Sequence, residues 1–161
     1  MSSLLIVYHS RTGGAEAMAH AAYEAARQEC DTRILTAEDA TVEDMMSASG
    51  YIFCAPENLA AISGEMKEFF DRSYYPLLGQ IEGRAYAIMV CAGSDGENAV
   101  RQMTRIATGL RLRKVQHPII VNTDAQSPEA ILAPKSLTKD QLVQCADLGA
   151  AFGAGLSMGV F

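Results

Sequence analysis

The chain has 161 residues, about half of them apolar, with a formal net charge of −6 and a pI near 5.0. That length suits a single domain with a core of ordinary size, and the acidic balance argues against a nucleic-acid or anionic-membrane partner. Cys30, Cys54, Cys91 and Cys145 form no CxxC and stand at no metal-ligand spacing from His9, His20 or His117, so free thiols in a reducing compartment are expected. No segment reads as a signal peptide, and the uncharged stretch from Leu148 to Phe161 is too short and glycine-rich to span a bilayer. The expectation is a soluble, cytoplasmic protein of one domain, residues 1–161.

Leu4-Leu5-Ile6-Val7 is an unbroken apolar run, the pattern of a strand buried on both faces of a parallel sheet. It ends in Tyr8-His9-Ser10-Arg11-Thr12-Gly13-Gly14 and feeds an alanine-rich segment with helical spacing at Ala15, Met18, Ala19, Ala22 and Ala26. A strand entering a helix through such a loop gathers backbone N–H groups, hydroxyls and the positive end of a helix dipole around one point. Two readings stand at this turn, an anion site and a plain helix cap made by Ser10 or Thr12.

A second strand follows at 32–36, and a small helix at 41–48 opens with Thr41 and Asp44 in capping-box positions. Tyr51-Ile52-Phe53-Cys54-Ala55 reads as a third strand stopped by Pro56. A helix then begins at Ser63, with Met66, Phe69, Phe70 and Ser73 on one face, and ends before Pro76. Residues 85–91 form a fourth, nearly continuous apolar strand. Gly93-Ser94-Asp95-Gly96 leads from it into a helix with Val100, Met103, Ala107 and Leu110 inward. A fifth strand spans 118–122, and a long loop through Pro128 and Pro134 precedes a last helix from about Thr138. The loop 123–137 is long enough to cover a site or a neighbouring chain. Within the last helix, Gly149 and Gly153, with Gly155 and Gly159 beyond, suit either a close approach between two helices or packing on the chain's own sheet.

Five strands alternating with five helices imply an α/β, doubly wound parallel sheet with helices on both faces. Ligands of such sheets bind beyond the carboxyl ends of the strands. That selects three loops, 9–14, 55–63 and 92–97. Several chemistries are excluded by residue type. The first loop is SRTGGA and not GxGxxG, no GxxxxGK[ST] occurs, and no cysteine begins a Cys-x5-Arg loop. A receiver domain would need clustered carboxylates after the first strand, where His9-Ser10 stand, and an aspartate ending the third, where Ala55-Pro56 stand. His9 and Tyr8 read as packing or loop residues, Cys54 and Cys91 as buried inert thiols, Tyr74 and Tyr75 as a core or subunit seal, and Asp71 with Arg72 as a solvated or interface pair.

Ser10-Arg11-Thr12-Gly13-Gly14 resembles the first phosphate loop of flavodoxin-like FMN proteins. Cys54-Ala55-Pro56-Glu57-Asn58, continued through Ser63-Gly64-Glu65-Met66-Lys67-Glu68-Phe69-Phe70-Asp71-Arg72, resembles the second loop and helix of the NAD(P)H-dependent FMN reductase and WrbA-type quinone oxidoreductase branch. The resemblance covers nearly the whole chain. It implies a three-layer α/β/α sandwich with a five-stranded parallel sheet in the order 2-1-3-4-5, which alternation alone does not supply.

Carried over by position, it implies that Ser10, Arg11, Thr12, Gly13, Gly14 and Ala15 surround the FMN phosphate. Pro56, Glu57, Asn58, Leu59 and Ala60 would lie along the ring system, and Gly93, Ser94, Asp95 and Gly96 would approach its edge. It further implies electron transfer from NAD(P)H to a quinone or similar small acceptor, no obligatory catalytic side chain, no metal, and a homodimer or homotetramer. Charge repulsion from Glu57 beside the ring would lower its reduction potential.

Three positions depart from the family pattern. Ala15 lacks a hydroxyl common there, a hydrogen bond to a charged group worth about 1.5–3 kcal/mol. Asn58 replaces a stacking aromatic, worth about 1 kcal/mol, and Ala60 replaces a glycine. These departures, with the tail glycines, also fit a domain that has lost strong flavin binding and serves as a non-redox assembly module. A passive FMN electron carrier is a further alternative.

Overall fold

The computed structural model describes all residues, 1–161. β1 (Ser3–Tyr8) lies between β2 (Asp31–Thr36) and β3 (Gly50–Asn58), and β3 lies against β5 (Ala85–Ala92), all parallel. β6 (Arg113–Lys114) and β7 (Ile119–Asn122) share the far edge of β5, and β4 (Ala61–Ile62) turns back antiparallel on β3. The seven-stranded sheet thus runs β2-β1-β3-β5-β6, the flavodoxin-like winding, with two strands more than expected. Part of that excess is one edge strand cut in two. Tyr86 pairs with Lys114 and Met89 with Ile119, so three steps along β5 face five along the edge. Pro118, expected to begin the strand, instead closes this bulge, as suits a residue that cannot donate to a ladder.

Side chains alternate across the sheet and divide the core. Leu4, Ile6, Ile52 and Cys54 face α1 (Gly14–Ala26) and α6 (Lys139–Ser157). Leu5, Val7, Tyr51 and Phe53 face α2 (Val42–Ser47), α3 (Gly64–Leu77) and α4 (Glu97–Gly109). The Thr41–Asp44 capping box opens α2, and Thr138 with Gln141 makes a second box at α6. A sixth helix, α5 (Pro128–Leu132), lies inside the segment expected to be a loop and is capped by Ser127.

The tail glycines work within the chain. A Cβ on Gly149 would stand 2.2 Å from Ala22 O of α1, one on Gly153 3.0 Å from Ala26 O, and one on Gly155 2.3 Å from the Phe161 ring. Alanines on α1 and glycines on α6 let the two backbones nearly touch. Of the two uses open to these glycines, Gly149 and Gly153 show the close approach of two helices, both of this chain, and not packing on the sheet, while Gly159 meets nothing within 4 Å.

Two further expectations shift. Pro76 sits in the last turn of α3 and does not end it beforehand. β3 continues through Pro56 to Asn58. Cys54 O accepts the His9 N–H at 3.0 Å, so Pro56, two residues on, presents its nitrogen to the same side, where β1 has already ended. No ladder bond is lost there. Arg72 pairs with Glu68 and donates to the carbonyls of Ala37, Glu38 and Ala40, tying α3 to the β2–α2 loop, while Asp71 pairs with Lys67 at 2.5 Å. Tyr74 seals the core against Gly109, and Tyr75 is exposed.

Candidate cofactor-binding site

The carboxyl ends of β1, β3, β5 and β7 open onto one cavity of about 970 Å³, at the place where the winding reverses between β1 and β3. Of the fifteen site residues expected from sequence, Ser10, Arg11, Thr12, Gly14, Ala15, Pro56, Glu57, Asn58, Leu59, Gly93 and Ser94 line it. Gly13, Ala60, Asp95 and Gly96 do not line it. Gly13 and Gly96 stand behind it as the N-caps of α1 and α4, both with φ of 97°.

The β1–α1 loop is a cradle of backbone N–H groups. Among the N–H groups from Arg11 to Ala15, the protein satisfies only that of Gly13, which donates to Ser10 Oγ at 3.1 Å. The others include the first turn of α1, where no intrahelical acceptor exists and the helix dipole is positive. Close packing holds the loop down. A Cβ on Gly14 would fall 2.5 Å from Cys91 Sγ, and Lys135 N–H donates to Thr12 O at 2.8 Å.

The nearby cations are committed elsewhere. Lys135 Nζ donates to the carbonyls of Ala130, Ile131 and Ala133 at 2.6–2.8 Å, closing the end of α5. Arg11 pairs with Glu65 at 3.5 Å. Beneath the loop, burial pushes the thiols of Cys54 and Cys91 up and that of Cys145 to about 11, so all three are packing groups at neutral pH.

Glu57 lines the cavity and has a second task besides. Its carboxylate accepts from Gly96 N–H at 2.9 Å and Ala99 N–H at 3.4 Å, capping α4 across the cleft. Its charge is compensated by the helix it caps, and it ties the second loop to the third. The following turn is the strained part of the site. Glu57 pairs with Ile62 and Asn58 with Ala61, leaving Leu59 and Ala60 as a two-residue hairpin turn with φ of 51° and 61°. Left-handed φ at both centres is the turn that matches strand twist and normally takes Asn-Gly. Ala60→Gly is accordingly expected to raise stability by about 1 kcal/mol in denaturant unfolding, because the native φ costs a Cβ-bearing residue about that much.

Sequence reading missed half of the lining. Gly64, Glu65 and Glu68 enter from the start of α3, and Thr123, Ala125, Ile131, Leu132 and Lys135 come from the segment after β7. The segment of uncertain role therefore covers the cavity, and it presents the exposed side chains of Ile131 and Leu132 there, as the hairpin tip presents exposed Leu59. The available signal was topological. In a parallel sheet every strand delivers its following loop to the same edge, and the loop after β7 carries two adjacent aliphatics in a polar stretch.

A flat ligand with an anionic end matches this arrangement of amide cradle, glycine approach and aliphatic walls. Residues 37–126, over half of the chain, match the family model described as NADPH-dependent FMN reductase. The chain belongs to that family. The chain is also 35% identical over 107 residues to a flavodoxin of Aquifex aeolicus (strain VF5), a match that takes in 65% of this chain and 58% of that protein's length.

Among solved structures, the flavodoxin, WrbA-like protein of Agrobacterium tumefaciens superposes with a TM-score of 0.78 at 17% identity, covering 98% of this chain and 99% of the other. Rubredoxin oxygen:oxidoreductase of Desulfovibrio gigas superposes with a TM-score of 0.79 at 16% identity, covering 99% of this chain and 37% of that larger one. At such identities the likeness is one of fold.

FMN is the cofactor of the family, and the residues present fit it. The free amides and the Ser10 and Thr12 hydroxyls suit a phosphate. Gly93 suits a close backbone approach, since a Cβ there would fall 2.7 Å from Ala125 O. No helix is long and apolar enough to cross a membrane.

Proposed function

We propose that the chain binds FMN in this cavity and passes electrons from a reduced nicotinamide nucleotide to a quinone or similar small acceptor. The observation that carries the reading is the set of unsatisfied amides at Arg11, Thr12, Gly14 and Ala15, at one end of a cavity whose other walls are aliphatic and glycine-lined. Bound FMN supplies the hydride-accepting and electron-donating centre. The residues of this chain bind and orient. The β1–α1 loop holds the phosphate, and Thr12 and Ser10 add hydroxyls to it. Asn58, Leu59, Gly93, Ser94, Ile131 and Leu132 wall the space for the flat end, and α5 limits the entry of water. Glu57 keeps the second and third loops at a fixed separation through α4.

The rival assembly-module reading loses part of one support, because Gly149, Gly153 and Gly155 are occupied by α1 and Phe161. Titration of the purified protein with FMN, followed by oxidation of NADH and NADPH in the presence of a quinone, is the test. A one-to-one complex with a shifted, structured visible band and quinone-dependent nucleotide oxidation is expected. Binding without turnover would leave a passive carrier. Saturating FMN that changes neither the flavin spectrum nor the melting temperature would end the redox reading.

A further inference from the structure

His9 lies immediately after β1, between the anion loop and α3. Its Nδ1 is 3.0 Å from the fully buried Ser63 Oγ, and its Nε2 is 3.5 Å from Glu65 Oε2. The other oxygen of the same carboxylate, Oε1, is 3.5 Å from Arg11. Glu65 is therefore shared between an imidazole and the guanidinium carried by the anion loop. It also lies in the wall between the large cavity and a smaller one of about 320 Å³ on the far side of the loop. The ring satisfies its hydrogen bonds in either protonation state, because Ser63 Oγ can donate to a neutral Nδ1 or accept from a protonated one.

We propose that His9 and Arg11 exchange their hold on Glu65 when an anion fills the β1–α1 loop: Arg11 turns to the anion, His9 takes the carboxylate as an imidazolium, and loading the site takes up a proton. The proposal rests on the reading of the loop as the phosphate site. His9 is a positioning residue here, holding the start of α3 against the loop without touching the anion.

The charges around the ring agree with the direction. Burial lowers the His9 pKa, Glu65 raises it and Arg11 lowers it. The other ionisable groups facing it across the smaller cavity are Tyr8 of β1, Glu16 of α1 and Glu38 of the β2–α2 loop. Removing Arg11 from Glu65 takes away the cation that opposes protonation and leaves the carboxylate to His9 alone. A group whose pKa rises on binding takes up protons, so affinity is highest at low pH and falls as pH rises from below the ordinary histidine value toward that of the loaded form.

The test is calorimetric titration of the full chain with FMN in buffers of different ionisation enthalpy, for wild type and His9→Asn. The phosphate's own ionisation is common to both proteins and cancels in the comparison. Wild type is expected to take up several tenths of a proton more than His9→Asn near neutral pH, and to lose about threefold more affinity than the variant between pH 6 and pH 8. Riboflavin, which has no phosphate to draw Arg11 away, is expected to bind with equal proton counts in both. Equal proton counts for FMN would overturn the proposal.

If FMN does not bind at all, the functional reading fails, and the exchange is decided by NMR of the His9 ring with inorganic phosphate. An upward-moving midpoint supports the exchange, and a stationary one overturns it. Arg11→Gln adds an independent arm, since it gives Glu65 to His9 before any anion arrives. The midpoint of the empty variant is expected to rise toward that of loaded wild type, and an unchanged midpoint would overturn the exchange.

Discussion

Gly149→Ala is expected to cost about 3 kcal/mol in denaturant unfolding, the upper end for adding one methyl to a packed interior. Its Cβ would lie 2.2 Å from Ala22 O and 2.7 Å from the carbonyl carbon and Cα of the same residue. All three are backbone atoms of a helix that is itself pressed on the sheet, so no rotamer change relieves the overlap. The two helices must separate, which opens the contact that Met18, Ala19, Ala22, Leu148 and Phe152 share. Gly64→Ala is the matched control. Nothing lies within 4 Å of a Cβ there, and Gly64 begins α3, so the change is expected to be neutral or to stabilise by about 0.5 kcal/mol through lost chain entropy. Equal losses at both positions would mean that intrinsic glycine effects, and not the α1–α6 approach, set the cost.

The same helix pair shows what a sequence conveys about such a fold and where it stops. Apolar runs such as Leu4-Leu5-Ile6-Val7 and residues 85–91 declare buried parallel strands without assistance, because both of their faces are covered by helices. Thr41 and Asp44 declare a helix start through local hydrogen bonding. Both are near-neighbour effects. The partner of Gly149 is 127 residues away, and nothing local distinguishes a glycine that meets α1 from one that meets another subunit.

Glu57 is a similar case. The family resemblance puts it along the ring, and it does line the cavity, but its capping of α4 depends on Gly96 and Ala99 arriving from another crossover. The edge strand was half legible for the opposite reason. Pro118 is a local signal, but the two-residue offset that places it in a bulge is set by pairing with β5. The loop after β7 hid its role because α5 is only five residues long, too short to give a helical period.

Gly14→Ala is expected to weaken FMN binding about 100-fold, equivalent to about 2.7 kcal/mol, with Cys91→Ala in the same chain restoring most of it. Gly14 opens α1 in the middle of the anion cradle, and its missing side chain is what lets the loop rest on Cys91, 2.5 Å from the sulfur to an added Cβ. Cys91 is buried in β5, paired with Pro56 on one side and Val121 on the other, so its thiol has little room to turn away. The loop would rise instead, and the amides of Thr12, Gly14 and Ala15 would leave the positions from which they converge.

Removing the sulfur removes the obstacle. Cys91→Ala alone should cost about 1 kcal/mol of stability for the small void and little affinity, and the double variant should bind within about threefold of wild type, a strongly non-additive cycle. Flavin titration with denaturant unfolding on all four proteins separates the two contributions. A double variant as weak as Gly14→Ala would mean that the glycine serves ligand contact and not loop height, which would relocate the phosphate closer to the Gly14 Cα than to the amides around it.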